Sequence, residues 1–196
     1  GNMLVDRKES LEKLFSISTK PVLVHSEDES IIKANLAAAK EKYGEEIPFT
    51  EHPLIRSRKA CIMSTIHALE MALEHGTALH LLHVSTKEEA EMVRAAKIHS
   101  QRITAETSAN YLWFSDEDYS RLGSRLKCNP AVKSPQDRAA LRKALEDGVI
   151  DTVGSDHAPH LLSEKEKPYL SCPSGVPSVQ QSLPVAFTIG IPLTRI

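Results

Sequence analysis

Three short apolar runs in this chain end at residues able to hold a divalent cation. His25 follows Val22-Leu23-Val24, His83 follows Leu81-Leu82, and Asp156 follows Val153-Gly154-Ser155. Two imidazoles and a carboxylate suit zinc or a similar divalent ion. In Gly154-Ser155-Asp156-His157-Ala158-Pro159-His160, Asp156 could ligate the metal or take a proton from a metal-bound water, and His160 could hydrogen-bond an anionic substrate. The blander reading makes Asp156 a turn cap and His157 a solvated side chain. Ser155, Asp156 and His157 also contain the residue types of a serine triad, but neighbours on an extended chain point different ways. A lone strand-end histidine is usually structural; the coincidence of three ligand types at three strand ends favours a metal site.

The chain has nine histidines. His67 and His75 fall on a long amphipathic segment, His99 follows a helix and His52 sits in a loop, so surface or packing roles are expected for them. His80 precedes His83 by three residues and on a strand points to the opposite face, where it is expected to pack against helices.

Bulk properties narrow the partners. The 196 residues suffice for one compact unit or for part of a larger one. With 24 basic and 26 acidic side chains the net charge is −2, which gives no reason to bind nucleic acid or an anionic membrane. A small-molecule substrate is the expected partner. Cys61, Cys128 and Cys172 are far apart and form no C-x-x-C pair, so a reducing, cytoplasmic setting is expected. The longest apolar stretch, Leu183 to Leu193, is about half the roughly 20 residues of a membrane helix and reads as buried core. The first residues lack the order of a signal peptide.

The elements that must position the three ligands alternate between helix-like and strand-like segments, the pattern of an α/β fold with a parallel sheet. Asp6 with Glu9 forms a capping box ahead of Leu11, Leu14 and Phe15, and Pro21 to His25 reads as a buried strand. A helix carrying Ile32, Leu36, Ala39 and Tyr43 stops at Gly44, and a second, from Pro53 to His75, shows Ile62, Ile66, Leu69 and Leu73 as one stripe closed by Gly76. Ala78 to Val84 reads as a central strand buried on both faces. Thr86 with Glu89 opens a helix to about Lys97, and Arg102 to Glu106 reads as the next strand. Residues 107 to 133 look irregular. Ser134-Pro135 starts a helix with Leu141 and Leu145 inward, Val149 to Ser155 forms the last strand, and the chain beyond Asp156 is read as loop.

Five segments in order resemble the dihydroorotases of the amidohydrolase superfamily, most closely their longer-chain bacterial branch. They are Val24-His25-Ser26-Glu27-Asp28, Leu82-His83-Val84-Ser85-Thr86, Lys127-Cys128-Asn129-Pro130, Gly154 to His160, and Pro173-Ser174-Gly175-Val176. The resemblance implies a (β/α)8 TIM barrel, of which residues 1–196 would form a partial barrel with the strands equivalent to five through eight and the start of a C-terminal segment. It further implies one or two Zn2+ ions and the reversible cyclisation of N-carbamoyl-L-aspartate to L-dihydroorotate in pyrimidine synthesis. By position, His25 and His83 correspond to metal ligands, Asp156 to the aspartate that binds metal and shuttles the proton, and Asn129 and His160 to substrate contacts. The backbone near Gly175 corresponds to the segment that holds the pyrimidine ring.

Two departures qualify the resemblance. Where many relatives carry Glu-Val-Thr-Pro-His-His, this chain has Glu106-Thr107-Ser108-Ala109-Asn110-Tyr111, so no histidine role carries over there. The strand-one H-x-H pair and the strand-four bridging group are not in the sequence, and Gly1-Asn2-Met3-Leu4 resembles the stretch just past the bridging position. A central-to-C-terminal piece of a dihydroorotase is therefore expected, inactive alone and prone to self-associate as a homo-oligomer or to pair with the missing barrel half. The rival readings are another cyclic amidohydrolase, such as an allantoinase or dihydropyrimidinase, and a non-catalytic dihydroorotase-like scaffold.

Overall fold

The computed structural model describes residues 8–192. The Asp6 capping box and the Gly1-to-Leu4 stretch lie outside them. Four strands, β1 (Val22–Val24), β2 (Leu79–Leu81), β3 (Ile103–Ser108) and β4 (Thr152–Gly154), form one sheet in sequential order. Every pairing is parallel, with Val24 level with Leu81, Leu81 with Ala105, and Ser108 with Gly154. The strand-like segments thus form the expected sheet.

The helices are α1 (Lys8–Ile17), α2 (Glu29–Tyr43), α3 (His52–Ile55), α4 (Arg58–His75), α5 (Lys87–His99), α6 (Ala109–Trp113), α7 (Tyr119–Leu122), α8 (Pro135–Glu146), α9 (Leu162–Lys165) and α10 (Val179–Thr188). Val22, Leu79, Leu81, Ile103 and Ala105 are buried on one sheet face and join a core with Val93, Ala96, Leu141 and Leu145 from α5 and α8. Burial of the Val, Leu and Ile side chains among them, each contributing about 1.5–3 kcal/mol before entropy is charged, holds the helices to the sheet.

The opposite sheet face is more open. Leu23 is 60% exposed, and the residues level with it, His80 and Thr104, are only partly buried. This corrects two expectations: β2 is not sealed on both faces, and His80 does not pack against helices. Its Nδ1 lies 2.8 Å from Thr104 Oγ1 and its Nε2 3.4 Å from Glu106 Oε2, so it belongs to a polar row on the open face.

Capping follows the sequence signals. Asp28 accepts from the backbone N–H of Ser30 and Ile31 to start α2, and Thr86–Glu89 and Ser134–Asp137 form capping boxes on α5 and α8. The long segment from Pro53 is two helices, because Ser57 caps a new start and accepts from Ala60 N–H. The buried residues of α4 are Ala60, Cys61, Thr65, Ala68, Leu69, Met71 and Ala72, while Leu73 is 40% exposed. Of the expected stripe Leu69 is buried, Ile62 and Ile66 are partly buried and Leu73 is turned outward, so the inward face is built largely from smaller side chains.

Residues 107 to 133 hold the end of β3, α6, α7 and 3-10 turns instead of irregular chain, and residues beyond Asp156 hold α9 and α10. The Leu183-to-Leu193 stretch is not a buried block over its described part. Leu183 and Phe187 are each 52% exposed, and burial is confined to Ala186 and Ile191. No helix among the described residues is long and apolar enough to cross a membrane.

Candidate metal and substrate site

The parallel sheet brings the three strand-end residues to its carboxyl edge. His25 leaves β1 directly, and His83 and Asp156 stand two residues past β2 and β4. Ladder bonds clamp His83 from both sides: Leu82 N–H donates to Val24 O at 3.1 Å and Val84 N–H to Glu106 O at 2.8 Å. Both His83 and Asp156 take left-handed backbone angles, with φ of 37° and 46°. Such angles cost a non-glycine residue roughly 1–3 kcal/mol and concentrate at functional sites.

The His25 and His83 rings meet edge to face with centroids 4.4 Å apart. His83 is 5% exposed and its Nδ1 is buried with no hydrogen-bond partner. Burial, followed by the nearby His25, pushes the His83 pKa down to about 3, which leaves its imidazole neutral at neutral pH. A neutral imidazole with an unspent nitrogen has the chemistry to bind a metal ion.

Asp156 is half-buried. Burial raises its carboxyl pKa, His25 opposes that rise and the Glu106 carboxylate adds to it, which puts Asp156 within electrostatic reach of both. Glu106 in turn fills the space over Gly154, where a Cβ would stand 2.6 Å from its Oε1.

His25 also has a support that no local sequence pattern marks. Its Nε2 lies 3.7 Å from Glu27 Oε2, and Arg56 holds that buried carboxylate through its Nε at 3.1 Å and its Nη2 at 2.7 Å. The two partners are 29 positions apart in different connecting segments, so no local spacing announces them.

The remaining expected site residues gather in a second group. Gly175 N–H donates to Lys127 O at 2.8 Å, which ties the Gly175 segment to the Lys127–Asn129 segment. His160 Nε2 lies 3.1 Å from Ser174 O, immediately before Gly175. Asn129 Oδ1 is buried without a partner, and Asn129 lines a cavity of about 160 Å3 together with His52, Arg56, Lys127, Tyr169 and Ser174. Lys165 Nζ donates to the carbonyls of Lys127, Pro173 and Gly175 at 2.9–3.2 Å, and Lys127 Nζ donates to those of Tyr169 and Cys172 at 2.7 and 2.6 Å. Two buried ammonium groups thus hold the loop between residues 169 and 175.

The segment after Asp156 links the groups, because Ala158 N–H donates to Val176 O at 3.2 Å, next to Gly175. Among the described residues, the set of three metal-ligating side chains whose ligand atoms all lie within 4.8 Å of one another is Glu12, Glu74 and His75, on α1 and α4. His25, His83 and Asp156 do not all close to that distance. The two imidazoles carry the fit to a metal ion, through their contact and the unpaired His83 Nδ1.

No model of a known protein family matches the chain. It is 34% identical over 169 residues to the dihydroorotase of Staphylococcus epidermidis, a match covering 86% of this chain and 39% of that protein. It is 33% identical over 186 residues to the dihydroorotase of Bacillus licheniformis, covering 92% of this chain and 41% of the relative. Among solved structures, the L-hydantoinase (dihydropyrimidinase) from Arthrobacter aurescens superimposes with a TM-score of 0.88 at 28% identity, over 96% of this chain and 43% of that one. The parallel α/β layout and these relatives place the chain in the amidohydrolase superfamily. Within that class it is a homologue of the dihydroorotases, and it spans about two-fifths of the length of the curated relatives it matches.

Proposed function

We propose that this chain supplies the strands equivalent to five through eight of a (β/α)8 barrel, and with them part of the active site of a zinc-dependent dihydroorotase. Residues 1–196 are then a partial barrel unit. The reaction is the reversible ring closure of N-carbamoyl-L-aspartate to L-dihydroorotate, and three buried free cysteines suit a cytoplasmic setting. The observation that carries this reading is the His25–His83 pair, two imidazoles in contact at adjacent strand ends with one buried nitrogen unspent.

In this reading His25 and His83 hold the metal and Asp156 joins them. A bound zinc would polarise the carbonyl under attack and acidify water. Asp156 moves the proton to and from the ring nitrogen; its half-buried place and raised pKa favour that exchange. Asn129 and His160 receive the polar groups of the substrate. Gly175 offers backbone to the pyrimidine ring, and its close packing on Ala158 and His160 supports that placement by leaving no room for a Cβ at this position.

Cobalt titration followed by visible absorption, together with a dihydroorotate hydrolysis assay, tests the proposal. The purified chain binds Co2+, His83→Ala weakens that binding at least tenfold, and the chain alone shows no hydrolysis because two candidate histidines and one carboxylate make an incomplete site. Binding indifferent to His83, or turnover by the chain alone, would overturn it. The hydantoinase likeness favours one second reading, a cyclic amidohydrolase acting on a hydantoin or dihydropyrimidine ring. A substrate panel on an assembled barrel separates the two. Pairing with the complementary half, or with a second copy, covers the open sheet face that carries Leu23 and His80.

A further inference from the structure

A cavity of about 360 Å3 lies between α6 and α10, walled by Ala109, Asn110, Trp113, Phe114, Pro177 and Val185 among others. None of the six residues assigned above lines it. Its wall is mainly apolar and contains no ionisable side chain. A charged ligand would therefore lose its hydration there without gaining a counter-charge.

Asn110, Ser178 and the exposed Gln181 interrupt the apolar lining, and of these Asn110 is the buried one without a partner. Asn110 is 3% exposed, and its Nδ2 has no hydrogen-bond partner among the described residues. A buried amide donor without an acceptor is unfavourable, and native proteins rarely keep one without use. Ser178, also on the wall, has already spent its hydroxyl on the Ser155 and Val176 carbonyls. Asn110 is thus the buried donor left for a ligand, and it occupies the stretch after β3 to which no role carried over by resemblance.

We infer that this cavity is a second ligand site, taking a small, uncharged, largely apolar molecule whose carbonyl oxygen accepts from Asn110 Nδ2. Size supports the class: about 150 Å3 of apolar cavity is enough for benzene, so this one has room for a substituted six-membered ring. The wall supplies the apolar contact area, and the buried Asn110 donor fixes orientation, the usual division of labour in small-molecule sites. The site shares none of its lining residues with the His25–His83 pair.

Trp113 reports on the site directly, because it lines the cavity and is the chain's one tryptophan. It gives a single indole N–H cross-peak in a 1H–15N spectrum. Titrating the 15N-labelled chain with cyclohexanone should move that peak along a saturating curve. Asn110→Leu should weaken binding about tenfold, the scale of one lost hydrogen bond. Val185→Phe, which fills the cavity and leaves Asn110 intact, should abolish the shift while the rest of the spectrum stays native. A wild-type shift that rises linearly without saturating would overturn the inference, as would an unchanged affinity in Asn110→Leu or an unchanged curve in Val185→Phe.

Discussion

Gly175 and Ala158 pack so closely that a Cβ on the glycine would stand 2.5 Å from the Ala158 carbonyl oxygen and 2.7 Å from its Cβ. The same glycine has φ of +147°, a conformation that side chains rarely tolerate. The Ala158 N–H donates to Val176 O at 3.2 Å, so the two segments are also tied by hydrogen bonding.

Gly175→Ala must therefore displace backbone as well as strain it. We expect a loss of roughly 3 kcal/mol or more in urea unfolding. Gly76→Ala is the control. Its φ is also positive, at +64°, but its Cβ would meet nothing within 4 Å, so it should lose only about 1 kcal/mol. Equal losses in the two variants would mean that the Gly175–Ala158 contact is not what requires a glycine at 175.

Glu89 ties together the turns that follow both histidines. Its Oε2 accepts from Ser85 N–H, Thr86 N–H and Thr86 Oγ1 at 3.2, 3.0 and 2.9 Å, and its Oε1 accepts from Thr65 Oγ1 at 3.1 Å. Thr65 Oγ1 in turn lies 2.8 Å from Ser26 Oγ, next to His25. Glu89→Ala leaves these buried donors unpaired and should cost about 2–4 kcal/mol. It should also weaken Co2+ binding roughly tenfold, as loss of supporting hydrogen bonds does at metal sites. Glu89→Gln, which keeps an acceptor, should recover part of both. Wild-type stability and metal affinity in Glu89→Ala would remove Glu89 from the support of the site.

What could be read from the residues, and what could not, follows from the length of the strands. Val22–Val24, Leu79–Leu81 and Thr152–Gly154 are three residues each, enough to mark a strand and its end but too short to say which face is covered. That is why His25, His83 and Asp156 could be placed at a shared edge while the side occupied by His80 was misjudged. The Thr86–Glu89 and Ser134–Asp137 boxes are local signals, and they appear as expected. The Glu27–Arg56 pair joins residues distant in sequence. Asn110 became notable only when packing left its amide without an acceptor.

Arg58 and Asp137 join three helix ends. Arg58 donates through both Nη atoms to the Asp137 carboxylate, and Asp137 Oδ1 also accepts from Lys87 N–H at 2.9 Å. Burial pushes the Asp137 carboxyl up, but hydrogen bonds from Arg58, Ser134 and Lys87 outweigh it and hold the pKa below 3.8. A carboxyl depressed in the folded state stabilises the fold above its unfolded pKa, and that contribution is lost as pH falls through the folded value. Arg58→Met should lower stability at pH 7 by about 1–3 kcal/mol, less than a fully buried pair because the Arg58 side chain is 35% exposed. The deficit should shrink as the pH falls below the ordinary 3.8, where the unfolded carboxyl takes up its proton before the folded one does. A deficit that stays constant down to pH 3 would show that lost packing, not the ion pair, causes it.

His52 gives the opposite pH signature. It is 1% exposed, with Nδ1 2.7 Å from Tyr169 OH and Nε2 2.8 Å from Cys128 O. Burial, with the Lys127 and Arg56 charges, pushes its pKa down to about 3 against the Cys128 hydrogen bond. An unfolded histidine takes up a proton near pH 6.5, whereas native His52 stays neutral until about pH 3. Its contribution is therefore complete above pH 6.5 and is lost as the pH falls, at up to about 1.4 kcal/mol per pH unit. The comparison is with His52→Gln, whose amide can serve both partners but does not titrate. Urea unfolding at pH 7, 6, 5 and 4.5 should show wild type losing stability faster than the variant below pH 6.5, the gap widening by about 1 kcal/mol per unit. Other acid-sensitive groups, His83 among them, are common to both proteins and cancel in the difference. Parallel curves would mean that His52 is protonated in the native state, and its hydrogen bond with Tyr169 would then need the hydroxyl as acceptor.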